Sequence, residues 1–446
     1  MLITNATLVT WENPNRILPD HGLWINGSRI TELGPSAQLR ALHPLEEEID
    51  ARGQLVMPGN ICAHTHFYGA FSRGMAIPGA APADFPEILQ KLWWPLDRSL
   101  TDEDVRYSAL LCLVDAVRSG TTTLFDHHAS PNAIEGSLDL IAEAVEQAGL
   151  RAALCYEVTD RDGPGKMRAG LKENMRWTQK LRAVKDPLLA GMFGLHASLT
   201  LSDSTLDLCR DTIPEGSGFH IHVAESDADQ QDAITKSKCR VVERLYRHGI
   251  LGPSTIAAHC VQVDAHEMDL LAETNTWVSH QPRSNMNNGV GVSPVEEILG
   301  RKIRVCLGND GFSNAMWDEW MCAYLVHKVH KGDPRRMNGN TVLEMAIYHN
   351  AALASHFFPA APVGSIQIGA VADLIFVDYF PPTPLSPENL PWHILFGFRT
   401  QMVTTTIAGG RVLMKDRELL TLDEKAITAK AKELAEKVWA RYESQF

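Results

Sequence analysis

Residues 61–68 read ICAHTHFY and residues 219–226 read FHIHVAES. Each stretch carries two histidines two apart, at the end of an apolar run. Residues i and i+2 on a strand point the same way, so His64 and His66 share one side, as do His220 and His222. Taken alone, H-x-H fits metal ligands or two ordinary side chains on one strand face. More polar residues end neighbouring apolar runs: Asp126, His127 and His128 in FDHH, His196 in GLHA, His259 in AAHC and Asp310 in GNDG. Buried polar groups need partners, and one cation among imidazoles and a carboxylate satisfies several together. Three imidazoles with one carboxylate suit Zn²⁺ or Fe²⁺, and Zn²⁺ is the preferred expectation. A single divalent ion is expected, because GMFGLHASL offers no acidic residue or lysine to bridge a second.

The elements that must position these residues alternate along the chain. From 56 to about 310, apolar strands alternate with amphipathic helices. VMPGNICAHTH, TTTLFDHH, RAALCYEV, LLAGMFGLH, GFHIHVAE, TIAAHC, TWVSHQP and IRVCLGND read as strands. DEDVRYSALLCLVDAVRSG reads as a helix with Thr101 as N-cap, Asp104 in the capping-box position and Gly120 as its stop. SLDLIAEAVEQAG, GLKENMRWTQKLRAV, SDSTLDLCRD, RVVERLYRHG, DAHEMDLLAE and SPVEEILG supply further helices, and TVLEMAIYHNAALAS a final one. Eight alternations with near-continuous apolar strands predict an α/β fold, a parallel (β/α)8 barrel, with an open doubly wound sheet as the competitor. Function in such a barrel sits at the C-terminal ends of the strands, where the polar residues fall. The β-rich runs LITNATLVT and GLWINGSRITELG precede the barrel, and GSIQIGAVADLIFVD and MVTTTIAGGRVLMKD follow it. Their shared character predicts one small β-sandwich from 1–55 and 365–420, flanking a barrel at 56–364, with 421–446 as a C-terminal helix.

Composition narrows the partners. The 446 residues carry a net charge of −13 and no Lys/Arg run, which excludes a phosphate-backbone footprint and hence nucleic acid. No apolar stretch approaches the roughly 18 residues of a membrane span, and MLITNATLVT reads as a strand, not a leader. Eight cysteines without a C-x-x-C pair predict buried free thiols and a cytoplasmic location.

Together these residues resemble the amidohydrolase superfamily, in its mononuclear-metal group of S-adenosylhomocysteine, cytosine and guanine deaminases and triazine hydrolases. The resemblance covers nearly the whole chain: VMPG before H-x-H, then HVAE, AAHC, HQPRSNM, GNDG and GSIQIGAVADLIFVD. SRGMAIPG, LWWPLDRSL, FDHHASP and YEVTDRDG resemble most the SsnA-type aminohydrolases of selenium-associated gene clusters. The resemblance implies that His64, His66, His222 and Asp310 bind the metal, with His220 an inward neighbour that does not. It implies that Glu225 and His259 transfer protons, with Asp310 helping to orient the water. Asn309 stands where the family often has threonine, which leaves the ligand intact.

The implied reaction is hydrolytic deamination of an amino-substituted N-heterocycle of purine, pterin, pyrimidine or triazine type, releasing ammonia. The same groups serve ring-amide hydrolysis or displacement of chloride; a non-catalytic scaffold would be expected to have lost ligands. A homo-oligomer fits the superfamily, and no residue demands one. Substrate contacts are expected from His196, Arg283, Asn285 and the aromatic pair Trp93 and Trp94 in the long segment 67–100. Each has a plainer reading as loop hydrogen bonding or core. Adjacent strand residues point oppositely, so at most one of His127 and His128 faces the site, and His128 is the choice. Glu157, Asp160 and Arg161 either read polar edges of a ring or are solvated.

Overall fold

A computed structural model describes every residue of the chain except Lys185. The run LVMPGNICAHT divides at Gly59 into two strands that join different sheets. A Cβ on Gly59 would lie 2.4 Å from the Thr122 side chain, so this bend requires glycine. Leu55–Pro58 pairs in parallel with Leu2–Val9 and antiparallel with Leu374–Val377, Leu374 facing Pro58. Both chain ends therefore meet in one nine-stranded sheet. Its apolar side chains, among them Ile3, Leu23, Val56, Ile366 and Phe376, share one buried core.

Asn60–Thr65 begins a parallel sheet that continues through Thr121–His128, Arg151–Tyr156 and Leu189–Gly191. Phe193–Ala197, Phe219–Val223, Ile256–His259, Trp277–His280 and Val305–Leu307 form a second parallel sheet in that order. The run LLAGMFGLH, expected as one strand, is two: the chain breaks at Met192 and its halves pair with different neighbours. The two sheets touch at both edges, through Thr65 beside Asp310 and Val158 beside Leu195. At the first of these edges His66 N donates to Asp310 O at 3.1 Å, and the amides of Asn309 and Asp310 each donate to His64 O at 3.0 Å. This backbone ladder sets the histidine pair beside the aspartate. Gly308 makes it fit: a Cβ there would lie 2.7 Å from His64 N and 2.8 Å from His64 O.

The helix over Asp102–Ser119 carries the expected Thr101–Asp104 capping box and ends at Gly120 with φ 71°. Asp227–Ser237 and Met316–Lys331 are the longest of the helices that were not anticipated. The second is apolar on several sides, burying Trp317 and Trp320 while Leu325 and Val329 are exposed, so no single apolar stripe marks it. The C-terminal helix, Glu424–Glu443, grips the segment after His66. Trp439 Nε1 donates to Phe71 O at 2.9 Å, Arg441 Nε to Ser99 O at 2.6 Å, and the buried Tyr442 hydroxyl to Lys91 O. Among the described residues no helix is long and apolar enough to cross a membrane. All eight cysteines are free thiols.

Candidate active site

His64, His66, His222 and Asp310 each bring a donor atom within 4.8 Å of the others. His66 Nδ1 lies 2.6 Å from His127 O and His222 Nδ1 lies 2.8 Å from His196 O. A carbonyl only accepts, so both Nδ1 atoms carry the ring proton and each Nε2 keeps a lone pair. Those two Nε2 atoms face each other at 3.1 Å. His64 Nε2 is buried with no hydrogen-bond partner, 3.4 Å from Asp310 Oδ1, which also lies 2.9 Å from His66 Nε2. Burial works against a charge on His66, yet Asp310 outweighs it and raises that imidazole to about 9. The spot thus attracts positive charge. A proton between His66 and His222 would satisfy one pair, whereas a divalent cation would also engage His64 and Asp310. The donor set fits such an ion.

A second cluster, His66, His127, Glu157 and His222, overlaps the first. His127 cannot serve it as a ligand. Its Nδ1 faces Glu157 Oε1 at 2.9 Å and its Nε2 faces His220 O at 2.9 Å, so both nitrogens are spent on acceptors. Behind the first set, His220 Nε2 lies 2.8 Å from His64 Nδ1, which orients the His64 ring.

Glu225, His259 and Asp310 form the adjoining group. His259 Nε2 lies 3.5 Å from Glu225 Oε2, and Asn288 Nδ2 donates to Glu225 Oε1 at 3.3 Å. Burial raises the Glu225 carboxyl to about 7 against the pull of His259. Asn285 Oδ1 accepts from His259 Nδ1 at 2.8 Å, leaving the His259 Nε2 lone pair toward Glu225 and Asp310. Ala224, His259 and Asp310 have φ of 47°, 71° and 56°. Left-handed backbone at non-glycine residues costs on the order of 1–3 kcal/mol each and gathers at functional sites. Here it occurs at or just beyond the ends of three strands of one sheet.

These groups open into a small cavity of about 50 Å³, walled by Tyr68, Trp93, Trp94, His196 and Asp97 among others. The expectations for His196, Trp93 and Trp94 thus place them at the cavity wall. Three others lie elsewhere. His128 does not line it: its Nε2 bonds Ser130 Oγ at 2.8 Å, and His127 is the member of the pair packed against His66 and His222. Alternation along the strand decided that only one could face the ligands, and the choice of His128 is corrected to His127. Arg283 is turned to Glu319 Oε1 at 2.5 Å and Ser313 O at 2.7 Å, holding the loop after Asp310. Asn285 acts on His259 as described. Asp97 and Asn288 were not singled out in the sequence. Their roles depend on partners 64 and 63 positions away, Arg161 and Glu225, and no local pattern marks such pairings.

The model of the amidohydrolase family matches residues 55–413. The chain is 32% identical to a 5'-deoxyadenosine deaminase of Methanosarcina acetivorans, over 99% of each chain. It is 31% identical to a 5-methylthioadenosine/S-adenosylhomocysteine deaminase of Pelotomaculum thermopropionicum, over 98% of each. An adenosine deaminase from Xanthomonas campestris, solved with bound zinc, shares the fold with a TM-score of 0.84 at 23% identity over 98% of each chain. With its family model matched from 55 to 413 and relatives aligned end to end, the chain belongs to the amidohydrolase family.

Proposed function

We propose that the protein is a metal-dependent aminohydrolase that removes the amino group of an N-heterocycle as ammonia. The observation that carries this reading is the convergence of two Nε2 atoms, 3.1 Å apart, on a third buried, unpartnered imidazole nitrogen and one carboxylate. His64, His66, His222 and Asp310 would hold one divalent ion, Zn²⁺ by donor type. When bound, such an ion lowers the pKa of water from about 15.7 to about 7. Asp310 and His259 orient the water, and His259, with its lone pair set by Asn285, takes a proton from it. Glu225 carries its proton to a ring nitrogen, making the neighbouring carbon electrophilic toward the water oxygen; as a carboxylate it then takes the proton left on that oxygen and delivers it to the amine as the C–N bond breaks, and the proton held by His259 restores it. His127 and His220 hold the ligand imidazoles from behind.

The same reading takes the two parallel sheets as halves of one (β/α)8 barrel over 56–364, supported by the bridges at both edges. It takes the nine-stranded sheet of 1–55 and 365–420 as a small β-sandwich, supported by the pairing of Leu55–Pro58 with Leu374–Val377 and by the shared apolar core. Residues 421–446 are its C-terminal helix.

Adenosine-type nucleosides, which the relatives' names carry, head the substrate panel, followed by amino-purines, pterins, pyrimidines and triazines. Metal-loaded protein is expected to release ammonia stoichiometrically with substrate loss from at least one ring class. Loss of ring absorbance without ammonia would instead assign the same groups to ring opening.

A further inference from the structure

The wall of the cavity has a one-sided chemistry. Five carboxylates line it, Asp97, Glu157, Glu225, Asp229 and Asp310, and no lysine or arginine does so among the described residues. Three of the five are occupied. Asp310 belongs to the proposed ion site, Glu225 to the proton transfer, and Asp229 accepts from Leu199 N at 3.0 Å and Ala224 N at 2.8 Å.

The other two are not fully used. Asp97, 1% exposed, bonds Arg161 through Oδ2 while its Oδ1 is buried with no partner. Arg161 itself is not part of the wall; its guanidinium stacks over the Trp94 ring at 5.5 Å. Glu157, 3% exposed, gives Oε1 to His127 at 2.9 Å, and its Oε2 makes no hydrogen bond among the described residues. A third acceptor joins them. Thr200 Oγ1 donates to Ala197 O at 3.1 Å, so it accepts from His196 Nδ1 at 2.7 Å. That leaves His196 Nε2 as a bare lone pair, without a protein partner among the described residues.

Of the three, Asp97 Oδ1 is the one shut away from water, and a buried acceptor left unpaired costs on the order of 1–3 kcal/mol; a ligand that donates along this edge supplies all three with partners. Away from the ion site, an anionic group would instead meet Asp97 and Glu157 in a water-poor cavity with no lysine or arginine in the wall. We propose that the cavity selects an uncharged heterocycle whose edge away from the ion site carries N–H donors, read by Asp97, Glu157 and His196, and that it refuses substrates with an anionic tail. The inference rests on the aminohydrolase reading for the presence of a substrate there, and names its class.

Binding to metal-loaded Glu225→Gln protein separates the two claims. The probes are adenosine and guanine, against adenosine 5'-monophosphate and adenosine 5'-carboxylate, with ring-N-methylated guanine as the donor-blocked control. At least one neutral probe is expected to bind 10-fold or more tighter than either anion-bearing probe. Guanine is expected to lose 10-fold or more on ring N-methylation, and Asp97→Asn and His196→Phe are each expected to narrow the preference. The comparison in the Glu225→Gln parent decides the matter if either added substitution prevents folding. Equal or tighter binding of the anion-bearing probes, indifference to methylation, or no binding by any neutral probe overturns the inference. Ammonia release by wild-type protein is followed in parallel. If the binding preference holds without ammonia from any probe, the aminohydrolase reading fails alone. If ammonia is released without charge discrimination, the inference fails alone.

Discussion

Glu225→Gln is expected to lower kcat by about 10²–10⁴-fold, the usual worth of a positioned acid–base group, while the bound metal stays. The side chain is 7% exposed, three residues beyond His222, between the Asn288 amide and the His259 ring. Glutamine keeps its volume and can still accept from Asn288 Nδ2, so the pocket should hold its shape. It loses the ability to carry a proton between ring nitrogen and leaving amine. Steady-state kinetics on a responding substrate, with elemental analysis of the same preparation, read both quantities. Retained activity would remove Glu225 from the proton path, and simultaneous loss of metal would make it a structural residue.

His222→Ala is expected to have a larger effect, because it removes one of the nitrogens proposed to hold the metal. Removing a group that only hydrogen-bonds a metal ligand costs roughly 10–100-fold in metal affinity, and the loss here should exceed that, with activity falling to background. His222 also separates His66 from His259, with ring centroids 5.2 and 5.5 Å from them. Its removal opens the space between them, and Asp310 is left as the residue shared by the two groups. His128→Ala is the matched control. It deletes a buried imidazole that bonds Ser130 and packs against Tyr68 and Tyr156, and metal content should stay unchanged. Competition with a chromophoric chelator measures both proteins. Equal affinity in the His222 variant and the parent would exclude that side chain as a ligand.

Much of the candidate site was legible because its residues sit where two rules intersect. His64, His66 and His222 obey the strand period of two, and each ends an apolar run. Asp310 and His259 follow runs of the same kind. The Asp102–Ser119 helix was legible from its caps, since Thr101, Asp104 and Gly120 are local signals. What escaped depends on contacts distant in sequence. Nothing in LLAGMFGLH reveals that Met192 separates strands belonging to different sheets. Alternation showed that His127 and His128 diverge, yet which one faced the ligands depends on Glu157, 30 residues on. Arg283 lies near the right strand end, but Glu319 and Ser313 compete for its guanidinium and hold it on the loop. Asp97 gains its place from Arg161, and the segment bearing it is held by a helix from the other end of the chain.

The most direct test is to strip the protein with a chelator, restore Zn²⁺ in fractional steps, and follow ammonia release from a responding heterocycle. The account predicts activity that rises in proportion to bound ion and levels off at one per chain, with His222→Ala flat throughout. Ammonia release that survives full metal removal, or that continues to rise to a second ion per chain, would contradict it.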